Sequence, residues 1–153
     1  VVRLLKEHGL TLATAESCTG GLIANRITNV PGSSAVFGHG FVTYANDAKS
    51  ALLDVSPNAL ATHGAVSEVV ATQMAAGALK ASGADIAVAV TGIAGPDGGT
   101  PEKPVGTAWI GLASTNHDAT AFKVFHPRNR HDFKLAASQA ALEAVRRRVL
   151  GLD

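Results

Sequence analysis

The sequence predicts an α/β protein, a three-layer α/β/α sandwich built around a mixed, mostly parallel five-stranded sheet. Three observations carry that expectation. Leu10 to Ala15 is an apolar strand pattern that ends in small polar residues and two glycines, and a helical period in Leu22, Ile23, Ile27 and Val30 follows at once. Ile86-Ala87-Val88-Ala89-Val90 is apolar with no alternation, as in a strand covered on both faces. Helical segments separate most of these strand runs, and that order places helices on both faces of one sheet.

The elements follow in order. Val1 to His8 is a short amphipathic helix with Gly9 as its cap. After the Ser17 junction and its helix, Pro31-Gly32-Ser33-Ser34 is turn chemistry that releases a second strand around Gly40 to Tyr44. Asn46 is the expected N-cap of the next helix, which makes Lys49 its third residue. Ser56 to Leu60 opens a short helical turn, and Thr62 to Val66 reads as a loop. Ser67 caps a helix whose buried face is Val70, Met74, Ala78 and Ala81, and Gly83 ends it. A buried strand then runs into the glycine-rich loop from Thr91 to Pro104. Val105 to Ser114 and Ala119 to Phe125 are antiparallel strands joined by a turn at Thr115 to Asp118, and Trp109 is assigned to the core. Asn129 caps the last helix, with Phe133, Ala137, Ala140 and Ala144 as its inner face.

A length of 153 residues suits a single domain over 1–153, with one substantial core. Hydrophobic residues at 46% and charged residues at 16% exclude a disordered tail protein. The formal net charge of +1 gives no ground for a nucleic-acid or membrane partner. Arg146-Arg147-Arg148 reads as a helix end complementing its dipole. A single cysteine excludes an internal disulfide, and no charged, apolar leader pattern opens the sequence, so a reducing cytoplasm is the expected setting. No His-x-x-x-His or paired-cysteine spacing occurs, and neither a metal nor a cofactor is expected.

Chemistry concentrates at two places. The first is Ser17-Cys18-Thr19-Gly20-Gly21, where a strand turns into a helix and backbone N–H groups are available to an anion or to a developing oxyanion. A simple helix cap has the same local pattern, and Cys18 is a second possible nucleophile beside a small buried thiol. The second is the loop Gly92 to Gly99, too long for an idle connection and at the end of a central strand, where ligands collect in open α/β sheets. Lys49 and Arg130 each stand in the first turn of a helix, against the dipole. For Lys49 that position favours loss of a proton, and for Arg130 it suits a bound anion, although an exposed lysine at a small cost fits the pattern as well.

Thr14-Ala15-Glu16-Ser17-Cys18-Thr19-Gly20-Gly21 resembles the signature of the CinA C-terminal domain family, the nicotinamide mononucleotide deamidases. Tyr44-Ala45-Asn46-Asp47-Ala48-Lys49, His63-Gly64-Ala65-Val66-Ser67, Gly92 to Gly99 and Lys103 to Thr107 match further landmarks in the same order. Lys134 departs from the pattern, standing where an arginine is expected. The resemblance implies hydrolysis of the carboxamide of nicotinamide mononucleotide to nicotinate mononucleotide and ammonia. It also implies a domain standing alone, without the molybdopterin-binding-like domain of longer relatives. In those terms Ser17 is the nucleophile, Lys49 takes its proton, and Tyr44 relays or orients it. Amides of Thr19, Gly20 and Gly21 hold the oxyanion, and Gly92, Ala94, Gly95 and Arg130 hold the nucleotide. A small-molecule nucleotide and a second copy of the chain, in a homodimer, are the expected partners. The competing expectation is a nucleotide-binding or regulatory module, of competence or the DNA-damage response, in which no bond breaks.

Overall fold

The computed structural model describes residues 1–152. In chain order it contains α1 (Val2–His8), β1 (Leu12–Glu16), α2 (Leu22–Thr28) and a 3-10 turn at Ser33–Ala35. Then come β2 (Phe37–Val42), α3 (Asn46–Leu53), α4 (Pro57–His63), α5 (Glu68–Ser82) and β3 (Ile86–Gly92). The chain continues through β4 (Thr107–Ser114), β5 (His117–Phe125) and α6 (Arg130–Val149).

The five strands form one mixed sheet in the order β2-β1-β3-β4-β5. β1 pairs in parallel with β2 and β3, whereas β3–β4 and β4–β5 are antiparallel. Four strands therefore point one way and β4 alone is reversed, so the chain leaves β1, β2, β3 and β5 at one edge of the sheet. That edge carries Ser17, Tyr44, Gly92 and, shortly after β5, Arg130. β1 lies where the connections diverge to β2 on one side and β3 on the other, and such a switch point opens a crevice beyond the strand ends.

Alternate residues of β3 feed two cores. Ile86, Val88 and Val90 join Leu5, Ile23, Ile27, Ile110 and Phe133 beneath α1, α2 and α6. Ala87 and Ala89 join Ala13, Ala15, Leu53, Val70 and Met74 beneath α3, α4 and α5. The alanine face allows α5 to approach closely. At Gly111 of β4 a Cβ would collide with the Ala71 carbonyl of α5, so only glycine fits. Phe133, fully buried, anchors α6, and burying such a ring contributes roughly 1.5–3 kcal/mol. Among the described residues no helix is long and apolar enough to cross a membrane.

Several boundaries differ from the sequence expectation. β2 begins at Phe37 and ends at Val42, earlier than Gly40 to Tyr44, because its outer positions are exposed and carry no apolar alternation to read. Ala45, not Asn46, caps α3, with an extended backbone and no side-chain bond, so Lys49 is the fourth helical residue. α4 extends through His63, which shortens the loop before Ser67. β5 begins at His117, leaving a tighter turn after Ser114. The buried face of α5 ends at Ala78, so Ala81 in its last turn is exposed, and Trp109 and Ala140 are half-buried. The caps at Ser67 and Asn129 form as the pattern predicts, and Ser56 caps α4 as well, each side chain accepting from a backbone N–H of its helix's first turn.

Candidate active site

Ser17 directly follows β1 and extends its ladder, donating its N–H to the Val90 carbonyl at 2.9 Å. The chain then reverses through Gly20 and Gly21, whose φ values of 61° and 94° lie in the left-handed region. What holds the reversal is Glu16, a fully buried carboxylate. It accepts from the backbone N–H groups of Gly21 at 3.1 Å, Ile23 at 2.9 Å and Ala24 at 2.8 Å. Three amide donors at the start of a helix give this carboxylate a partner for both of its oxygens. Sequence reasoning quoted Glu16 only as part of a signature. An acid shortly before a helix is the signal that could have marked it as the cap.

That cap changes the expected oxyanion site. The Gly21 amide is taken by Glu16 and the Gly20 amide by the Ser17 carbonyl at 3.1 Å. Neither is free for a substrate, so the two glycines serve the turn. Among the described residues, the N–H groups of Cys18 and Thr19 have no partner on another residue. Of these two residues Cys18 lines the cavity described below. Its thiol is pushed up to about 12, first by burial and also by the Glu16 charge, so it stays protonated near neutral pH.

Lys49 approaches Ser17 from α3. It is 1% exposed, and its Nζ lies 3.2 Å from Ser17 Oγ, 2.9 Å from the Thr43 carbonyl and 3.4 Å from the Tyr44 carbonyl. Burial holds its ammonium below the ordinary lysine value, opposed by the nearby Cys18. The three neighbours suit both protonation states. An ammonium donates to all three. A neutral amine has two N–H groups for the two carbonyls, which can only accept, and its lone pair is left for the Ser17 hydroxyl proton.

Above this pair lies a cavity of about 290 Å³, lined by Ser17, Cys18, Tyr44, the 92–98 segment and Arg130. Gly92, Ala94 and Gly95 are among the residues that line it. At Gly92 a Cβ would sit 2.8 Å from the Thr107 carbonyl and 3.0 Å from Phe133 Cζ, so the loop leaves the sheet pressed onto β4 and α6. Asn129 caps α6 by accepting from Asp132 N–H at 3.0 Å, and Arg130 reaches back over the cavity. Its guanidinium donates to the Gly95 carbonyl and to the Tyr44 hydroxyl, each at 2.8 Å. The part of Tyr44 that touches Lys49 is thus its backbone carbonyl, while its phenol is engaged by Arg130. Lys134, one turn after Arg130, holds its ammonium beside Gly20, 3.8 Å from where a Cβ would lie. The second cation stands at the junction despite the change from arginine.

A larger open groove of about 760 Å³ runs along the outer side of α6, but neither Ser17 nor Lys49 lines it. Among the described residues no cluster of three metal-ligating side chains is present.

Residues 1–149 match the family model described as the CinA C-terminal domain. A CinA-like protein of Geotalea uraniireducens is 55% identical over 99% of this chain, which covers 36% of that protein. The chain thus spans little more than a third of the length of relatives of that kind. Nicotinamide-nucleotide amidohydrolase PncC of Shigella flexneri is 48% identical over 95% of this chain and 88% of its own length. Among solved structures, the competence/damage inducible protein CihA of Agrobacterium tumefaciens superposes with a TM-score of 0.91 at 48% identity, covering 94% of this chain and 88% of that one.

Proposed function

This chain belongs to the CinA C-terminal domain family, and on that premise we propose that residues 1–153 form one amidohydrolase domain that deamidates nicotinamide mononucleotide with Ser17 as nucleophile. One observation carries the reading, a lysine almost wholly removed from water with its amine 3.2 Å from a serine hydroxyl at the floor of a cavity.

Neutral Lys49, its two N–H groups held by the Thr43 and Tyr44 carbonyls, takes the Ser17 proton as Oγ attacks the carboxamide carbon. Negative charge develops on the carboxamide oxygen, and the amides of Cys18 and Thr19 are those left to receive it. Lys49 then passes its proton to the departing nitrogen, and ammonia leaves an acyl ester on Ser17. Lys49 next deprotonates a water that opens the ester, releasing nicotinate mononucleotide and restoring the serine. Arg130, Lys134 and the Gly92 to Gly95 segment hold the nucleotide at the rim. Tyr44 orients both ends, Lys49 through its carbonyl and Arg130 through its phenol. Half-buried Ala136 and Ala140 with exposed Leu135 on the outer side of α6 support a homodimer, which sedimentation of the purified chain tests.

The test is ammonia release from nicotinamide mononucleotide by the parent, Ser17→Ala and Lys49→Ala. The expected result is turnover in the parent and a loss of about a thousandfold or more in Ser17→Ala. A parent that binds the nucleotide without releasing ammonia overturns the hydrolase reading in favour of a binding module.

A further inference from the structure

The cavity over Ser17 has one acidic side chain in its lining, Asp97, and one basic one, Arg130. The two do not pair. Arg130 spends its guanidinium on Gly95 and Tyr44, and among the described residues Asp97 has neither a hydrogen-bond nor an ion-pair partner. Asp97 is exposed and held by a loop that turns through Gly95 at φ 72° and Gly98 at φ 90°. An unpaired carboxylate beside the cation of an anion-binding cavity repels an anionic ligand. The arrangement therefore makes sense for a ligand that brings hydrogen-bond donors to Asp97 together with negative charge to Arg130 and Lys134.

We propose that Asp97 is a specificity residue that accepts hydrogen bonds from the vicinal hydroxyls of a ribose, so that the site selects ribonucleotides over 2′-deoxyribonucleotides. The inference rests on the nucleotide reading above and adds to it the sugar that is read and the residue that reads it. Geometry favours this partner. A carboxylate presents two acceptor oxygens side by side, matching two adjacent hydroxyl donors, and it offers nothing to a phosphate. The ribose also lies between the two ends of the proposed substrate. With the carboxamide on Ser17 and the phosphate near the cations, the sugar falls within the cavity whose lining includes Gly95, Asp97 and Gly98. Hydrogen bonds to a charged acceptor are among the stronger ones, and a site built around them rejects the analogue that lacks the donor.

The experiment measures binding by calorimetry in a Ser17→Ala background, so that no substrate is consumed. The probes are nicotinamide mononucleotide and its 2′-deoxyribose analogue, each with Asp97 intact and as Asp97→Asn. With Asp97 intact, the deoxy analogue is expected to bind about 10- to 100-fold more weakly. In Asp97→Asn, which keeps a single uncharged acceptor oxygen, the preference for the ribose should shrink. Equal affinities with Asp97 intact, an undiminished preference in Asp97→Asn, or no binding of either nucleotide overturns the proposal. An exposed side chain without partners leaves the fold unaffected when replaced, which thermal melting of the variant checks. Ribose preference in Ser17→Ala alongside a parent that releases no ammonia would remove the hydrolase reading and leave this one standing.

Discussion

The floor and the rim of the cavity are built on opposite terms. At the floor, Ser17, its neighbour Glu16 and Lys49 of α3 are buried and bound to backbone groups. At the rim, Tyr44 is 60% exposed, and Arg130 and Asp97 also face water. A proton transfer between a serine and a lysine needs a desolvated amine in a fixed orientation, because hydration would restore the ordinary lysine pKa. Recognition of a charged, hydroxylated ligand needs groups that remain hydrated until it arrives. The difference separates residues expected to govern turnover from residues expected to govern affinity.

The largest effect should come from Lys49. Lys49→Met keeps the length and removes the amine, and turnover should fall by about 10²- to 10⁴-fold while nucleotide affinity is kept. Lys49→Arg should be as inactive, since a guanidinium does not give up its proton. Stability should move the other way. The lysine value is lowered on folding, so the ammonium opposes folding most at pH below its folded value, and the penalty fades as pH rises to the unfolded value of 10.5. Thermal melting of Lys49→Met should therefore match or exceed the parent at neutral pH, with the gain shrinking toward alkaline pH. A gain that grows with pH would break the account of the floor. By the same sign, the rate of the parent should rise with pH through a Lys49 value below that of an ordinary lysine and then level off.

Glu16 comes next. Glu16→Gln replaces one acceptor oxygen with an NH₂ that faces N–H donors, leaving buried amides of α2 without a partner at a cost of about 1–3 kcal/mol each. A fall in melting temperature with a loss of kcat and little change in KM would place Glu16 with the floor. A change confined to KM would move it to the rim.

The smallest effect belongs to Tyr44→Phe, which removes the hydroxyl that Arg130 holds and keeps the carbonyl that Lys49 uses. KM should rise several-fold, about what one hydrogen bond contributes, with kcat within about twofold of the parent. A large drop in kcat instead would assign the phenol to proton relay and erase the distinction between the two regions.

Much of this was legible in the chain. β3 was readable from the unbroken apolar run Ile86 to Val90, and β1 from Leu10 to Ala15, a largely apolar stretch that ends in small polar residues and two glycines. Caps with side-chain oxygens, at Ser67 and Asn129, were readable because the chemistry is local. β2 was misplaced because an exposed edge strand of Phe, Gly and His has no pattern to detect. Ala45 was missed as a cap because it uses backbone conformation without a side-chain bond.

The sequence by itself determined the α/β class and the family, since each depends on local period, turn chemistry or a run of neighbouring residues. Only the tertiary structure decided what the residues of the site do to one another. It sent Glu16 back onto the Gly21 amide that the sequence offered to an oxyanion, and it turned the Tyr44 phenol toward Arg130. It also set an amine from α3 against a hydroxyl 32 residues earlier. The reason is geometric: four strands pointing one way bring distant strand ends to one edge of the sheet, and which atoms meet there depends on register and burial, which no stretch of sequence contains.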